Sequence, residues 1–179
     1  MRQDCPLTPM KSTTGPGSIM SETLQFRAGG PADYDALGQL IYDAIHKGPT
    51  FYTEAQSRAW MPAPRSGPDW AERLSGKDLF LAEDETGLAG FMSLEPGGYI
   101  DFAYIRPSAQ GSGLFRKLFD RVEAQARADG ETLLSTHASL MAQPAFRTMG
   151  LSSVAHEIVE MDGQMLKRAH MQMPLERDR

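Results

Sequence analysis

The sequence predicts an α/β fold in which a mixed, mostly antiparallel central sheet carries helices on both faces. Three observations favour this class. Short runs with strand-like alternation are interspersed with runs of helical periodicity along the 179 residues. Hairpin turn signals join several neighbouring strands, and strands joined in this way pair antiparallel. Elsewhere a strand is followed by a helix and a further strand, a unit that places helices against the sheet.

The length of the chain predicts one domain, which we place at residues 21–176. Residues 1–20 are rich in Pro, Gly, Ser and Thr and lack apolar periodicity, so we expect a disordered tail there. The sequence contains no internal repeat and no sign of a second domain.

The individual elements follow from periodicity and from helix-breaking and turn-forming residues. Thr53 suits the N-cap of the second helix, and Asp69 suits the N-cap of a third, short one. Asp162-Gly163 between the last two strands is a strong hairpin signal. The expected order is β-α-α-β-β-β-α-β-α-β-β, with two or three helices after the first strand. In chain order we expect strand 23–28, helices 32–46, 53–60 and 69–74, strands 78–82, 88–94 and 99–105, helix 111–128, strand 132–136, helix 139–149, and strands 153–161 and 165–173.

Composition argues against several classes of function. A net charge of -5 lacks the basic signature of a nucleic-acid-binding protein. Cys5 is the single cysteine, which rules out an internal disulfide and a cysteine metal cluster and favours a reducing, cytoplasmic setting. The four histidines show no metal-ligand spacing, so we expect no metal. We also expect no membrane span, because no apolar run of about 18 residues and no apolar signal core is present.

A strand, a loop with two glycines and a helix start together suggest an anion site. Pro107 ends the strand 99–105, and Gly111 and Gly113 open the following helix. Free backbone amides at a helix start attract anions, and glycines let a phosphate approach closely, although the same pattern alone also fits a tight turn. A P-loop would need a lysine after Gly113. A dinucleotide fingerprint would need a third small residue and an acidic residue at the end of the next strand, and the sequence has neither motif.

Two stretches together resemble the GNAT acyl-CoA N-acyltransferase superfamily, over about residues 23–174. Gln110-Gly111-Ser112-Gly113-Leu114-Phe115 is similar to the family's phosphate motif Arg/Gln-x-x-Gly-x-Gly/Ala, with Phe115 in place of the last small residue. Residues 139–151 (Ser-Leu-Met-Ala-Gln-Pro-Ala-Phe-Arg-Thr-Met-Gly-Leu) are similar to Asn-x-x-Ala-x-x-Phe-Tyr-x-x-x-Gly-Phe. The resemblance implies acetyl-CoA as the cosubstrate.

The resemblance also implies which residues bind CoA. The backbone of the strand end Tyr104-Ile105 would pair with the pantetheine arm, and the loop amides would hold the pyrophosphate. Ser139 stands where a CoA-contacting Asn is common. Phe146 stands where a Tyr often serves as general acid, a role that Phe146 lacks the proton to fill. The expected CoA-binding residues are Tyr104, Ile105, Gln110, Gly111, Ser112, Gly113, Leu114, Phe115, Ser139 and Phe146.

Two residues are candidates for taking a proton from the acceptor amine, whose pKa of about 10.4 keeps it charged at neutral pH. Asp101 lies inside the strand 99–105, where the family often carries a catalytic Glu; the alternative is that Asp101 points to solvent or pairs with an arginine. His137 follows the strand 132–136 and suits proton transfer, or it only hydrogen-bonds the backbone. Tyr52 and Tyr99 are expected to bind the substrate, or they are packed aromatic residues with a polar tip.

We therefore expect an N-acetyltransferase that moves an acetyl group from acetyl-CoA to a primary amine of a small molecule or to an exposed protein amine by direct attack. The alternative is a non-catalytic acyl-CoA-binding regulatory domain of the same fold, which Phe115 and Phe146 favour. The edges of the terminal strands would allow the chain to form a homodimer. No motif specifies the acceptor.

Overall fold

The structure, a computed structural model, describes residues 23–176. The predicted tail over residues 1–20 and Cys5 lie outside the described residues. The strands are β1 (Gln25–Ala28), β2 (Asp78–Asp84), β3 (Gly87–Leu94), β4 (Tyr99–Ile100), β5 (Ala103–Ile105), β6 (Leu133–Ser139), β7 (Ser152–Met161) and β8 (Gln164–Pro174). The α-helices are α1 (Tyr34–Lys47), α2 (Glu54–Trp60), α3 (Gly67–Leu74), α4 (Leu114–Ala128) and α5 (Gln143–Thr148).

The strands form two four-stranded sheets, and the chain changes sheet three times: before β4, between β4 and β5, and after β5. The first sheet has the order β1-β2-β3-β5 and is antiparallel throughout. The second has the order β4-β6-β8-β7, and its β4–β6 pair is parallel. The predicted fold class is confirmed, as are the β2–β3 and β7–β8 hairpins. Asp162 and Gly163 both adopt positive φ in the last turn, as a tight hairpin requires.

The prediction of one continuous strand over residues 99–105 is wrong. The chain breaks between β4, which pairs with β6, and β5, which pairs with β3. Two buried hydroxyl groups satisfy the backbone at the break. Thr136 Oγ1 donates to the Ile100 carbonyl at 2.8 Å, and Ser93 Oγ accepts from the Phe102 amide at 2.9 Å. Because β5 turns away from β6, a gap opens between these two strands.

Apolar side chains fill both faces of the first sheet. On one face, α1 and α3 pack against β2 and β3 through residues that include Leu37, Trp70 and Phe91. On the other face, α4 contributes an apolar stripe that includes Phe119 and Val122. The expected placement of helices on both faces is therefore confirmed. Within residues 23–176, no helix has the length and apolar character needed to cross a bilayer.

Two helix starts differ from the predictions. Ser66 is the N-cap of α3, so Asp69 lies in its first turn and does not cap it. β6 runs on through Ser139, which leaves only a six-residue α5. The Ser139 hydroxyl instead accepts a hydrogen bond from the Ala142 amide at 3.3 Å, in the turn that follows the strand. Thr53 caps α2 as predicted, with its hydroxyl accepting from an amide of the first turn.

Candidate active site

A cavity of about 360 Å³, which we call the first cavity, lies at the gap beside β5. It is enclosed by β5, the loop that leads into α4, the start of α4, the end of β6 and the end of α1. Most of its wall is apolar. The predicted site residues that line it are Tyr52, Tyr104, Ile105, Gln110, Gly111, Gly113, Leu114, Phe115 and Ser139.

The free edge of β5 offers backbone hydrogen-bonding groups to this gap. The Arg106 amide donates to the Ala89 carbonyl of the first sheet at 2.8 Å, so even-numbered positions of this segment bond to β3. Backbone groups alternate sides along a strand, and those of Ala103 and Ile105 therefore point away from β3. Gln110 Nε2 donates to the Ile105 carbonyl at 3.2 Å and ties the following loop to the strand end. An extended ligand with amide groups can pair with this edge.

The glycine loop gives the first cavity an end that attracts anions. Gly111 and Gly113 have φ angles of 75° and 79°, which only glycine adopts readily, and Gly113 is the N-cap of α4. The first amides of α4, beginning with Leu114, have no acceptor within the helix. Apart from each glycine and its two neighbours in the chain, no atom of residues 23–176 comes within 4 Å of a Cβ built on Gly111 or Gly113, so the loop is open above its backbone. Ser112 does not line the cavity, and its hydroxyl donates to the Ala109 carbonyl at 2.6 Å.

Two phenylalanines occupy the positions where the sequence departs from the family motifs. Phe115 lines the first cavity and meets Phe146 edge to face, with ring centroids 5.1 Å apart. Phe146 is only 1% exposed and also packs against Phe119 in the core under α4. The structure thus places Phe146 in the core and not at the cavity wall, contrary to the predicted CoA contact. Its ring supports Phe115 from behind.

A second cavity of about 190 Å³ adjoins the first. Tyr52, Tyr104 and Ser139 line both, so the two cavities meet at these side chains. The wall of the second cavity is much more polar than that of the first. Its charged and imidazole groups come from parts of the chain that are far apart in sequence, and they include Arg65, Arg73, Asp101, His137 and Arg168.

Asp101 lies in the break between β4 and β5, and its side chain is 11% exposed. Its Oδ1 accepts a hydrogen bond from Arg73 Nη2 at 3.0 Å, and Lys77 Nζ lies 3.3 Å from Oδ2. The alternative that Asp101 pairs with an arginine is therefore confirmed, and this pairing coexists with a place on the cavity wall. Oδ2 is buried and has no aligned hydrogen bond from residues 23–176, although Arg73 Nη2 lies 2.9 Å away. Oδ2 thus lies between two cations without an aligned hydrogen bond from either.

Tyr99 and His137 form a hydrogen-bonded pair in the second cavity. Tyr99 Oη lies 3.0 Å from His137 Nδ1, and His137 Nε2 lies 3.6 Å from Glu157 Oε1. The His137 ring stacks on His170 with centroids 4.6 Å apart. Burial, followed by the charge of Arg168, lowers the pKa of His137, and burial raises the pKa of Tyr99. Near neutral pH the Tyr99 hydroxyl therefore keeps its proton and can donate it to the uncharged Nδ1.

Two further tyrosines lie where the cavities meet. Tyr52 Oη donates to the Lys167 carbonyl at 2.7 Å and accepts from the Leu140 amide at 2.9 Å, which ties the α2 side of the site to β8 and to the end of β6. Burial raises the pKa of Tyr104 well above its usual range, and the charge of Arg65 opposes that effect. The Tyr104 hydroxyl is therefore uncharged at neutral pH and can donate a hydrogen bond to a ligand, whereas Tyr52 already donates its single proton to Lys167.

No sequence pattern indicates the arginines of the second cavity. Arg65 lies in the loop before α3, Arg73 on α3 and Arg168 on β8. Each resembles any surface arginine in the sequence, and no motif joins them. In the described part of the chain, no group of three or more His, Cys, Asp or Glu residues could hold a metal ion. The site therefore combines a long apolar cavity, which ends in an anion-binding loop, with a small polar cavity that opens beside it.

Comparison with protein-family models gives a match to the acetyltransferase (GNAT) domain over residues 51–175. Comparison with curated proteins gives no match. Among solved structures, a GCN5-related N-acetyltransferase from Rhodopseudomonas palustris, described as a class-II aminotransferase, is 27% identical with a TM-score of 0.77. The alignment covers 89% of this chain and 100% of that one.

Two further solved structures contain acetyl-CoA. A phosphinothricin acetyltransferase from Sinorhizobium meliloti in complex with acetyl-CoA is 21% identical with a TM-score of 0.65, over 86% of this chain and 89% of that one. A putative acetyltransferase from Salmonella typhimurium with its cofactor acetyl-CoA is 20% identical with a TM-score of 0.62, over 86% of this chain and 95% of that one. At these identities the two structures show a shared fold.

Proposed function

Because the chain belongs to the GNAT acetyltransferase family, we propose that it transfers an acetyl group from acetyl-CoA to a primary amine of a small molecule or to an exposed protein amine. The observation that carries this proposal is the junction of two unlike cavities. The first is mostly apolar and includes the glycine loop at the start of α4; the second is small and polar. The residues that line both are Ile45, Tyr52, Trp60, Tyr104 and Ser139. A thioester and an amine would meet at the same point.

The first cavity has the groups that CoA requires. The backbone of Ala103 and Ile105 faces the gap and would pair with the amides of the pantetheine arm. The amides from Gly111 to Phe115 would hold the pyrophosphate, and both glycines leave open space above the loop. Phe115 adds an apolar wall at the start of α4. These features fit the cosubstrate that the Sinorhizobium meliloti and Salmonella typhimurium structures contain.

The proposed reaction is a single displacement. The lone pair of the neutral amine attacks the thioester carbonyl carbon, so a C–N bond forms and the C–S bond breaks. The amine loses one proton and the departing sulfur becomes the thiol of free CoA. A thiol pKa of about 8.5 makes the sulfur a fair leaving group, so the absence of a tyrosine at Phe146 does not prevent the reaction.

Two groups of the second cavity can receive the amine proton. Asp101 lines the second cavity, and its buried Oδ2 has no aligned hydrogen bond from residues 23–176, although Arg73 Nη2 lies 2.9 Å and Lys77 Nζ 3.3 Å away. His137 is held uncharged by its lowered pKa, and Tyr99 connects its Nδ1 to the cavity. We propose Asp101 as the group that receives the proton, directly or through water, and the Tyr99–His137 pair as the group that orients the amine.

The test is acetyl transfer itself. The full chain is mixed with acetyl-CoA and a panel of primary amines and amine-bearing peptides, thiol release is followed with a thiol reagent, and the products are identified by mass spectrometry. The expected result is amine-dependent thiol release that is matched by an equal amount of N-acetyl product. Thiol release without an acetylated amine would contradict the proposal.

The alternative is a non-catalytic acyl-CoA-binding regulatory domain, and one observation favours it. Phe146, at the position where the family often has a tyrosine, is buried in the core and has no proton to donate. Calorimetric binding of CoA without turnover of any amine in the panel would support this alternative and reject the enzyme.

The cellular location of the protein and its oligomeric state are two further proposals. A cytoplasmic location suits a chain whose single cysteine has no partner for a disulfide within the chain. A homodimer is supported by β7, a ten-residue strand at the edge of its sheet with Val154 and Ile158 more than half exposed. Light scattering after size-exclusion chromatography would give the mass of the species in solution, and a monomer mass at working concentration would reject the dimer.

A further inference from the structure

The arginines of the second cavity are not equally neutralised. Arg73 is paired with Asp101, and Arg168 Nε donates to Glu157 Oε2 at 2.8 Å. Arg65 has no carboxylate partner among residues 23–176, and its guanidinium lies over the Trp70 ring at 5.7 Å from the centroid. The chain as a whole has a net charge of -5, so an unpaired cation at this cavity does not follow from overall composition. Arg65 leaves the mouth of the cavity with a surplus positive charge.

The backbone that carries Arg65 is fixed by close packing on α1. A Cβ built on Gly38 would lie 1.9 Å from the Arg65 carbonyl oxygen and 3.1 Å from its amide nitrogen. Gly38 is buried in the interior of α1, where glycine is less favourable than alanine by about 1 kcal/mol. The close approach of the Arg65 backbone explains why this position has no side chain. Arg65 is therefore held at the cavity even though its side chain is exposed.

Arg65 and Asp101 both line the second cavity, and the charges of both affect the Tyr104 hydroxyl. The charges of both alter the pKa of Tyr104, Arg65 lowering it and Asp101 raising it. Tyr104 lines both cavities at their junction. A ligand in the second cavity thus meets the Asp101 carboxylate and an unpaired guanidinium that is available to a negative group. The volume of about 190 Å³ is below the range of about 300–1,000 Å³ for drug-sized ligands, which favours a small molecule.

We propose that the acceptor is a small amine that also carries a carboxylate, as a free amino acid does, and that Arg65 binds this carboxylate while the amine faces Asp101. This inference rests on the proposed acetyl transfer and narrows its acceptor. Arg65 is a specificity-determining residue in this account. An arginine fork can donate two hydrogen bonds to a carboxylate, and a neutral amide cannot replace that partner.

The experiment compares matched acceptors and matched variants. Each proteinogenic L-amino acid is assayed beside its C-terminal amide and beside the amine that lacks the carboxylate, with the wild type, Arg65→Gln and Arg65→Lys. We expect kcat/KM for the best acid to exceed that for its amide by about tenfold or more, since hydrogen bonds to charged groups contribute about 1.5–3 kcal/mol. Arg65→Gln should remove most of this preference by lowering kcat/KM for the acid more than for the amide, and Arg65→Lys should restore part of it.

The control is Arg58→Gln, which removes an exposed arginine of α2 that pairs with Glu54 and lies away from both cavities. It should behave like the wild type with every acceptor. A wild type that uses amides as well as acids would overturn the inference, even though acetyl transfer itself would stand. An equal loss for acids and amides in Arg65→Gln would also overturn it, because it would indicate a merely structural role.

A binding measurement tests the carboxylate site independently of acetyl transfer. The N-acetyl L-amino acids and their amides are titrated calorimetrically into the protein saturated with CoA. Tighter binding of the acids than of the amides, lost in Arg65→Gln, would support the carboxylate site even in a chain that turned over no amine. Equal binding of acids and amides would overturn it.

Gly38→Ala places a methyl group against the Arg65 backbone. It should therefore reduce the preference for acids, as Arg65→Gln does. An intact preference in a folded Gly38→Ala protein would contradict the role given to this loop.

Discussion

The two cavities differ in how the chain builds them. The first has its backbone edge and glycine loop in one stretch, residues 103–115, and mostly apolar side chains of residues 44–60 and 139–145 complete its wall. The second takes its polar groups from a loop, a helix, a chain break and two strands that are distant in sequence. A site formed by the backbone of the fold suits a ligand that proteins of that fold share. A site formed by side chains from separate elements can be specific for one acceptor.

This difference predicts that substitutions in the first cavity and substitutions in the second cavity have separable effects. Substitutions in the second cavity should alter turnover and the choice of acceptor while the affinity for CoA is kept. Substitutions in the glycine loop should weaken CoA without altering which amine is preferred.

Asp101→Asn should produce the largest loss. Removal of a group that takes a proton in the transition state costs about 100-fold to 10,000-fold in rate. We expect kcat to fall by about 100-fold or more, since Arg73 and Lys77 also lose their shared carboxylate, and we expect the Kd for CoA to stay unchanged. Stopped-time assays and calorimetry would measure both. The control, Asp33→Asn, breaks the 2.7 Å ion pair with Arg27 away from the cavities and should leave kcat intact.

An Asp101→Asn protein with normal kcat would remove this carboxylate from the reaction. One that lost CoA affinity to the same extent as kcat would contradict the separation of the two cavities.

Gly113→Val should weaken the binding of acetyl-CoA in the first cavity and leave the second cavity unaffected. At a φ of 79° a β-branched residue carries about 1–3 kcal/mol of backbone strain, so we expect the KM for acetyl-CoA to rise by about tenfold or more. The control is Gly130→Val, at the other end of α4, where φ is 80° and the surroundings are equally open. Both variants should lose similar thermal stability, and only Gly113→Val should lose CoA. Equal CoA affinity in the two variants would show that the loop does not bind the cosubstrate.

Tyr52→Phe should affect both cavities, because this residue lies where they meet. The Leu140 amide and the Lys167 carbonyl would both lose a partner, at a cost of about 1–3 kcal/mol in the free energy of unfolding. Chemical denaturation would measure this loss. Tyr42→Phe is the control, because the Tyr42 hydroxyl has no hydrogen-bond partner in residues 23–176 and its ring stacks on His46. Equal stability of the two variants would show that the Tyr52 hydroxyl does not brace the junction.

His137→Gln should have the smallest effect, which appears as a change in pH dependence. The folded-state pKa of His137 is lowered below 6.5, so the unfolded chain binds more protons near that pH and stability falls as the pH drops below it. The acid limb of kcat/KM should likewise lie below pH 6.5 in the wild type. His137→Gln should flatten both dependences, whereas His156→Gln, at an exposed position of β7, should change neither. Unchanged profiles in His137→Gln would assign the acid limb to another group.

The same contrast explains what could be predicted from the sequence. The glycine loop and the hairpin at Asp162-Gly163 were predictable because local turn chemistry dictates them. The break inside residues 99–105 was not, because the aromatic and β-branched residues on both sides of Asp101 suit a strand. Its cause is tertiary: the hydroxyls of Ser93 and Thr136 replace the lost backbone partners from two neighbouring strands.

Other features of the site could not be predicted from the sequence because tertiary packing determines them. Phe146 matches a motif position, and only packing reveals that its ring faces the core. The helix expected from Ser139 was shortened because β6 extends to pair with β8 as far as Arg168. Arg65 lines the second cavity through a loop that Gly38 positions, and no local pattern around Arg65 records that contact.

The central claim is that acetyl-CoA occupies the first cavity and presents its thioester to the second. A crystal structure of the full chain with acetyl-CoA tests it most directly. The account predicts the pyrophosphate on the amides of residues 111–115, the pantetheine arm along Ala103 and Ile105, and the acetyl group beside Tyr104, facing Asp101. Acetyl-CoA bound elsewhere, or with its acetyl group directed away from the second cavity, would contradict it.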